Sequence, residues 1–474
     1  MKLAHPYSFI RFMFVALILT CGLSQVWAKP NVIVVIADQW RAQSTGFAGD
    51  PNVKTPHLDK LAEQSCWFTH AVSGLPVCSP MRATMLTGQR PLTHGVFIND
   101  VPLRPDAVSI GKVMHDVGYD TAFIGKWHVD GHGRSIWIPR ERRQGFDYWK
   151  VLECTHSYNH SPYYEDDDST KHVWKDYDAA AQTDDVCAYL QKHKSVAKPF
   201  LLFLAWGPPH NPYDQAPERF KKMYDPATLK LRANVPEAFE KQARTDLAGY
   251  YAHCSALDEL MGRLLDTLQD NGLAEDTILM FTADHGDMLS SQGLQRKQKP
   301  YEESIRIPML VRWPAGLGVQ GKKLDALMNT EDIMPTLLGL AGVEIPQSVE
   351  GLNYGPYLHG GTNPSDGAAL IQCPSPFGEW SRNRGGREYR GIRTARYTYV
   401  RDLNGPWLLF DNEADPYQMH NLIGDPSAQA LQKELDERLN QKLALEHDEF
   451  KSGPSYLAKW NYKVDASGTM PYTN

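Results

Sequence analysis

Runs of apolar, often β-branched residues alternate along this chain with stretches in which apolar residues return every third or fourth position. Residues 32–37 (VIVVIA) are unbroken and apolar, the pattern of a strand buried on both faces, and the run ends at Asp38-Gln39. Residues 121–124, 200–205 (FLLFLA), 277–281 (TILMF) and 307–313 repeat the signal. Helical patterns lie between them. Thr55-Pro56 has the favoured N-cap and N1 order, and residues 109–117 read as a helix that stops at Gly118. Leu247, Tyr250, Cys254, Leu257, Met261, Leu264 and Leu268 mark one face of a long helix closed by Gly272, and Thr330 is placed to cap a helix running to Gly342. This alternation predicts an α/β fold: a large, mostly parallel sheet flanked by helices, with ligands at the carboxyl ends of its strands. Asp38, His210 and Asp284 each follow such a strand, so one shared site is expected.

The texture changes near residue 366. Residues 389–400 and 407–410 read as short antiparallel strands and 425–445 as a closing helix. We therefore assign 29–365 to a catalytic domain and 366–474 to a smaller C-terminal subdomain with a short antiparallel sheet and a helix. Residues 1–28 read as a signal peptide. Lys2 and Arg11 precede an apolar core at 12–19 that is too short to span a bilayer, and Val26 and Ala28 hold the small-residue cleavage positions. Export to the periplasm or the medium follows. Thr20 is a poor neighbour for lipid attachment at Cys21, and no later apolar run is long enough for a membrane-spanning helix.

The formal net charge of -7 leaves no basic surplus for nucleic acid or acidic membranes, so an anionic substrate must be met by cations gathered locally. The seven cysteines fall at positions 21, 66, 78, 154, 187, 254 and 373. Their irregular spacing, with no CxxC pair, argues against a disulfide scaffold or a zinc site.

The densest chemistry is Cys78-Ser79-Pro80-Met81-Arg82, continuing Ala83-Thr84-Met85-Leu86-Thr87-Gly88. Ser79 is placed to cap a helix that Pro80 opens and Gly88 ends. Cys78 then sits at a helix N-terminus, where free amides and the dipole favour negative charge, and Arg82 adds a cation suited to oxyanions. An isolated cysteine in that position would ordinarily be a packing residue. The whole motif, however, resembles the signature of the formylglycine-dependent (type I) sulfatases of the alkaline phosphatase superfamily, with Met81 where that family often has Ser or Ala. The resemblance covers nearly the whole mature chain, with motifs in order. It implies an alkaline-phosphatase-like fold and hydrolysis of sulfate esters. It also implies that a formylglycine-generating or anaerobic sulfatase-maturating enzyme oxidises Cys78 to 3-oxoalanine (formylglycine). One hydroxyl of the hydrated aldehyde would attack sulfur, and the other would later expel the sulfate.

The same resemblance implies that Asp38, Gln39, Asp284 and His285, with the modified Cys78, hold one divalent cation. Mostly oxygen donors favour calcium or magnesium, calcium first, and His285 leaves manganese as an alternative. The family's commonest pattern is Asp-Asp followed by Asp-Asn, so Gln39 removes a charge and His285 adds a nitrogen. Those departures raise a second reading, a phosphonate monoester or phosphodiester hydrolase with the same nucleophile. Gly125-Lys126-Trp127-His128 resembles the GKWH box, which implies that Lys126 contacts the hydrate and sulfate and that His128 is the base. Pro209-His210 resembles the leaving-group histidine. Lys297 has the spacing of the Gly-x-x-x-Lys-x-x-x-Tyr-Glu segment that starts at Gly293; Lys299 is the neighbouring alternative. The stretch from Trp407 to Leu422 resembles the family's closing strand and turn and reads as structural, with Asn421 satisfying backbone groups.

Two stretches read as substrate walls. One is 154–171, with His156, Tyr158, His160, Tyr163 and Tyr164; the other is 377–390, with Trp380, Arg382, Arg384, Arg387 and Tyr389. Aromatic and arginine side chains in loops suit sugar faces and neighbouring sulfates. His132 and Arg134, just past the GKWH box, are further candidates. The expected substrate is a sulfated carbohydrate.

Overall fold

The structure, a computed structural model, describes Met1 and residues 29–472; the leader and Cys21 fall outside the described residues. Ten strands make the large sheet: β1 (Asn31–Asp38), β2 (Cys66–Val72), β3 (Asp120–Lys126), β4 (Tyr148–Leu152), β5 (Pro162–Glu165), β6 (Asp168–Val173), β7 (Phe200–Pro209), β8 (Thr277–Ala283), β9 (Met309–Arg312) and β10 (Lys322–Asn329). Their order is β10-β2-β9-β8-β1-β7-β3-β4-β5-β6. The central run β8-β1-β7-β3-β4 is parallel throughout, as is the β2–β10 pair. Val32 to Ala37 are almost wholly buried, as an uninterrupted apolar strand at the centre of a covered sheet must be.

The helices are α1 (Pro56–Ala62), α2 (Cys78–Thr87), α3 (Ile110–Asp116), α4 (Asp178–His193), α5 (Glu240–Asp270), α6 (Ile333–Leu340) and α7 (Gln429–Leu445). The apolar positions read from 247 to 268 are buried along α5, which packs on α4 and against the sheet. Ser109 caps α3 by accepting from Lys112 N.

Four local expectations need correction. The strand expected at 307–313 is shorter and runs antiparallel between β8 and β2. Only short helical turns lie between β8 and β9, with no crossover helix of the kind that joins the parallel strands. Part of the 154–171 stretch is not a loop but the β5–β6 hairpin at the sheet's edge. The cap before α6 is Asn329, not Thr330: Asn329 and Asp332 form a reciprocal capping box, and Thr330 opens the short 3-10 turn that leads into the helix. Helix α2 begins two residues earlier than Ser79 capping would require, with Val77 as N-cap and Cys78 as its first residue. The Ser79 amide is satisfied instead by Asn99 Oδ1 at 3.0 Å.

Beyond residue 366 the chain forms an antiparallel sheet, β11 (Ala368–Cys373), β12 (Tyr389–Thr394), β13 (Tyr397–Asp402) and β14 (Gly405–Asp411). One face, with Ile371, Tyr389, Val400 and Phe410, joins the main core. The other, with Leu370, Ile392, Tyr399 and Leu409, packs on Leu435, Leu439 and Leu443 of α7. Asn421 ties the turn as expected, accepting from Leu409 N and donating to Trp407 O, both at 3.0 Å. All six cysteines among the described residues are free.

Candidate active site

Three strands and one helix end at the same point. Asp38 closes β1, Lys126 closes β3, Asp284 follows β8, and Cys78 opens α2. All four are buried, as are Arg82, His128, His210, His285 and Lys297. Gln39 and His128 both hold left-handed backbone (φ 69° and 61°), an arrangement that costs a non-glycine residue on the order of 1–3 kcal/mol and persists only where contacts fix it. Those contacts are present for Gln39. Its amide donates to Asp284 Oδ1 (3.0 Å), its Nε2 to Asp287 Oδ2 (2.6 Å), and its carbonyl accepts from Tyr250 Oη (2.8 Å).

One oxygen or nitrogen from each of Asp38, Asp284 and His285 and the sulfur of Cys78 lie within 4.8 Å of one another. His285 Nδ1 is hydrogen-bonded to Gly286 O at 2.9 Å, so the Nε2 lone pair faces inward, 3.2 Å from Cys78 Sγ. Burial and the neighbouring Asp38 charge push the Asp284 carboxyl up. Two carboxylates, an imidazole nitrogen and residue 78 converging on one buried point make a donor set that fits a divalent ion. The expected fifth donor, Gln39, is close by, but its Oε1 accepts from Lys297 Nζ at 3.1 Å.

Cations close the other side. Arg82 spans the two carboxylates, with Nη2 on Asp38 Oδ2 and Nε on Asp284 Oδ2, both at 3.1 Å, and Nη1 on Lys126 O at 2.7 Å. Lys126 Nζ reaches Asp38 Oδ2 at 2.6 Å. Lys297 Nζ donates to Cys78 Sγ (3.1 Å) and to His210 Nε2 (2.8 Å). Lys299, the alternative in sequence, turns away and donates to Gln295 O at 2.6 Å. Burial alone would raise the Cys78 thiol, but Lys126 and Lys297 draw it well below its ordinary range. Burial would likewise raise Asp38, yet Lys126, His210 and Arg82 hold it well below the usual carboxylate range.

Residues the sequence did not single out, Asp100 and Asp287, and others it read as substrate contacts, Arg134, His156 and Tyr158, hold these groups in place. Asp100 lies 3.4 Å from His128 Nε2 and is gripped by Arg134 through two bonds of 3.0 and 2.8 Å. Burial opposes charge on His128, but Cys154 and Asp100 raise it well above the ordinary imidazole range. Tyr158 Oη donates to His210 O at 2.9 Å, and the His156 ring stacks on His210 with centroids 4.6 Å apart. Asp287, two residues past His285, secures Gln39. Its acidity was visible in the sequence; its partner, 248 residues away, was not.

The proposed substrate walls divide. Trp380 is buried beside Tyr389 and Trp407, so it supports the C-terminal sheet and offers no face to a ligand. Arg387 is engaged too, paired to Asp402 at 2.8 Å and lying over Trp407. Arg134 is committed to Asp100, with its guanidinium 3.8 Å over the Tyr472 ring. Tyr158 is a buried support. Arg384 and His132 are exposed, His132 with Nδ1 2.5 Å from Asp130 O. Aromatic–arginine patterns recur in cores as well as in binding loops, which is why the sequence could not separate the two.

A helix-borne cysteine among strand-end carboxylates, set on a mostly parallel sheet, defines a hydrolase centre of the alkaline phosphatase superfamily. The chain belongs to the sulfatase family: the Sulfatase family model matches residues 30–343, and the N-sulphoglucosamine sulphohydrolase C-terminal model matches residues 291–444. It is 45% identical over 436 residues to an ulvan-active sulfatase of Formosa agariphila, covering 92% of this chain and 85% of that protein. It is 33% identical over 473 residues to an endo-4-O-sulfatase of Bacteroides thetaiotaomicron, covering 85% and 90% respectively. Among solved structures it resembles the Bacteroides fragilis yidJ protein, with a TM-score of 0.82, 29% identity, and coverage of 90% of this chain and 98% of that one.

Proposed function

We propose that this protein is an exported carbohydrate sulfatase that hydrolyses sulfate esters on a sulfated oligo- or polysaccharide, using formylglycine made from Cys78 and one bound divalent cation, calcium first. The observation that carries the reading is the position of Cys78 Sγ, 3.2 Å from His285 Nε2 and 3.1 Å from Lys297 Nζ. A tetrahedral anion brought to residue 78 would meet cations from three separate segments, Arg82, Lys126 and Lys297, in a water-poor pit where such contacts are strongest. The family relationship and the two carbohydrate-sulfatase relatives support the substrate class. Maturation by a formylglycine-generating or anaerobic maturating enzyme, and export through the leader, belong to the same proposal.

Asp38, Asp284, His285 and residue 78 would hold the cation, which when bound neutralises the sulfate and acidifies the attacking hydroxyl. The chain supplies the rest. Lys126 and Lys297 bind the anion from opposite sides. Lys297 Nζ–H donates to His210 Nε2, so this pair carries a proton toward the departing alcohol. His128, which Cys154 and Asp100 hold protonated, would act as the base on residue 78 when sulfate leaves only after giving up its own proton.

Mass spectrometry of the peptide containing residue 78 should show sulfur lost and an aldehyde gained. Cys78→Ser should abolish release of sulfate while substrate still binds, as calorimetry would show. Comparable turnover in that variant would end the covalent reading. Gln39 and His285 favour the second reading, a phosphonate monoester or phosphodiester hydrolase. Turnover of an aryl sulfate against a phosphodiester by the same preparation separates the two.

A further inference from the structure

We propose that a cleft lined by Asn211 and Arg296, the chain neighbours of His210 and Lys297, is a subsite for the sugar unit next to the sulfated one, so that the enzyme is built for oligosaccharides rather than single sugars; this rests on the sulfate-ester reading above. The cleft has a volume of about 470 Å³, within the roughly 300–1,000 Å³ typical of small-ligand sites. It lies between the segment that follows β7, the N-terminal half of α5, and Arg296.

One side of its wall, formed by Asn211, Tyr213 and Arg296, is tied to the active site, whereas Thr245 and Asp246 line the cleft from α5. Asn211 follows His210 and brings Oδ1 to 3.4 Å from Gln39 Nε2, and Arg296 precedes Lys297. Tyr213 Oη donates to Asp287 Oδ2, the same oxygen that accepts from Gln39. Arg296 donates to that phenol and lies over its ring, 5.0 Å from the centroid. Gly249 permits this packing: a Cβ there would come within 2.3 Å of Tyr213 O.

The lining has the chemistry of a sugar site. Pro212, Tyr213, Tyr224 and Pro226 line it with apolar surface, while Asp214 and Asp246 carry acceptors and Lys221 and Arg296, bonded to Asp214 O and Tyr213 Oη, keep further N–H donors. A pyranose ring carries apolar C–H faces and hydroxyls that both donate and accept, so it uses all of these. Two carboxylates against two cations leave no surplus positive charge, unlike the sulfate pit, so the preferred occupant is a hydroxyl-rich ring without its own sulfate. A simple aryl sulfate reaches the pit and leaves the cleft empty.

The test uses Thr245→Trp, a change at an exposed helix position on the cleft's rim, and Asp246→Asn. With sulfated tetrasaccharides released from ulvan, kcat/KM should fall at least about tenfold in each variant, while hydrolysis of 4-methylumbelliferyl sulfate stays within about twofold. Equal losses on both substrates, or no loss on either, would overturn the subsite. Binding of a chemically desulfated tetrasaccharide to Cys78→Ser protein, followed by calorimetry with and without Thr245→Trp, gives a readout independent of catalysis. Binding that Thr245→Trp weakens supports the subsite even if no sulfate is ever released, and unchanged or absent binding removes it. Failure of wild-type protein on every sulfate ester would instead remove the sulfatase reading.

Discussion

Glu153 follows β4 with its carboxyl turned into the interior, where Oε1 accepts from Asp130 N and Gly131 N, both at 2.9 Å. Its Oε2 is buried with no hydrogen-bond partner among the described residues. Burial pushes this carboxyl up to about 8, against the opposing pull of His128. A carboxyl raised above its unfolded value of 4.5 keeps its proton in the folded protein while the unfolded chain gives it up. Stability therefore falls as pH rises from 4.5 and levels off above about 8, by up to about 1.4 kcal/mol per pH unit. Glu153→Gln preserves the Oε1 acceptor and removes the titration. We expect the urea midpoint of wild type to drop more between about pH 6 and pH 9 than that of the variant; parallel profiles would show that Glu153 is not the group responsible. Glu153 had no sequence signal, because a lone acid at a strand end is usually solvated. The same holds for Asp100, whose role appears only once His128 and Arg134 are seen against it.

At the scale of an element, β3 shows why the GKWH box opens with glycine. Gly125 lies on a central strand with φ 108°, and a Cβ at that position would stand 2.2 Å from Ala205 O on β7. The strand cannot approach β7 with a side chain there, and Lys126, the next residue, is placed by that approach. Gly125→Ala should cost about 1–3 kcal/mol through overpacking and backbone strain. It should also depress turnover, because Lys126 Nζ moves from Asp38. A thermal melt beside an activity assay checks both; a variant with wild-type melting and rate would show that β3 absorbs the methyl. The motif was legible in sequence as chemistry, but its glycine was not legible as packing, because the clash is with a strand 80 residues further on.

The whole molecule brings two carboxylates, distant in sequence but on neighbouring strands, into one buried pair, with Arg82 as their shared counter-ion. A bound cation would stabilise the fold as well as the reaction, by about 2.7 kcal/mol when present at 100 times its Kd. Dialysis against EDTA is therefore expected to lower Tm and abolish sulfate release, and calcium to restore both more fully than magnesium or manganese. If Tm did not move on chelation and re-addition, the Asp38–Asp284 pair would have to be read as satisfied by Arg82 and Lys126 alone.

The sequence by itself determined what short-range pattern can carry: the buried strands at 32–37, 200–205 and 277–281, the long helix through Leu257, and the motif around Cys78. Those signals depend on periodicity and spacing within a few turns of chain. Tertiary structure alone decided that β9 runs antiparallel, that Trp380 and Arg387 brace a sheet instead of facing a ligand, and that Asp100, Tyr158 and Asp287 hold the site's histidines and Gln39. It also set Lys297 against Cys78 across 219 residues of chain. Such pairings are fixed by how whole elements pack, a long-range energy that no local pattern of residues records.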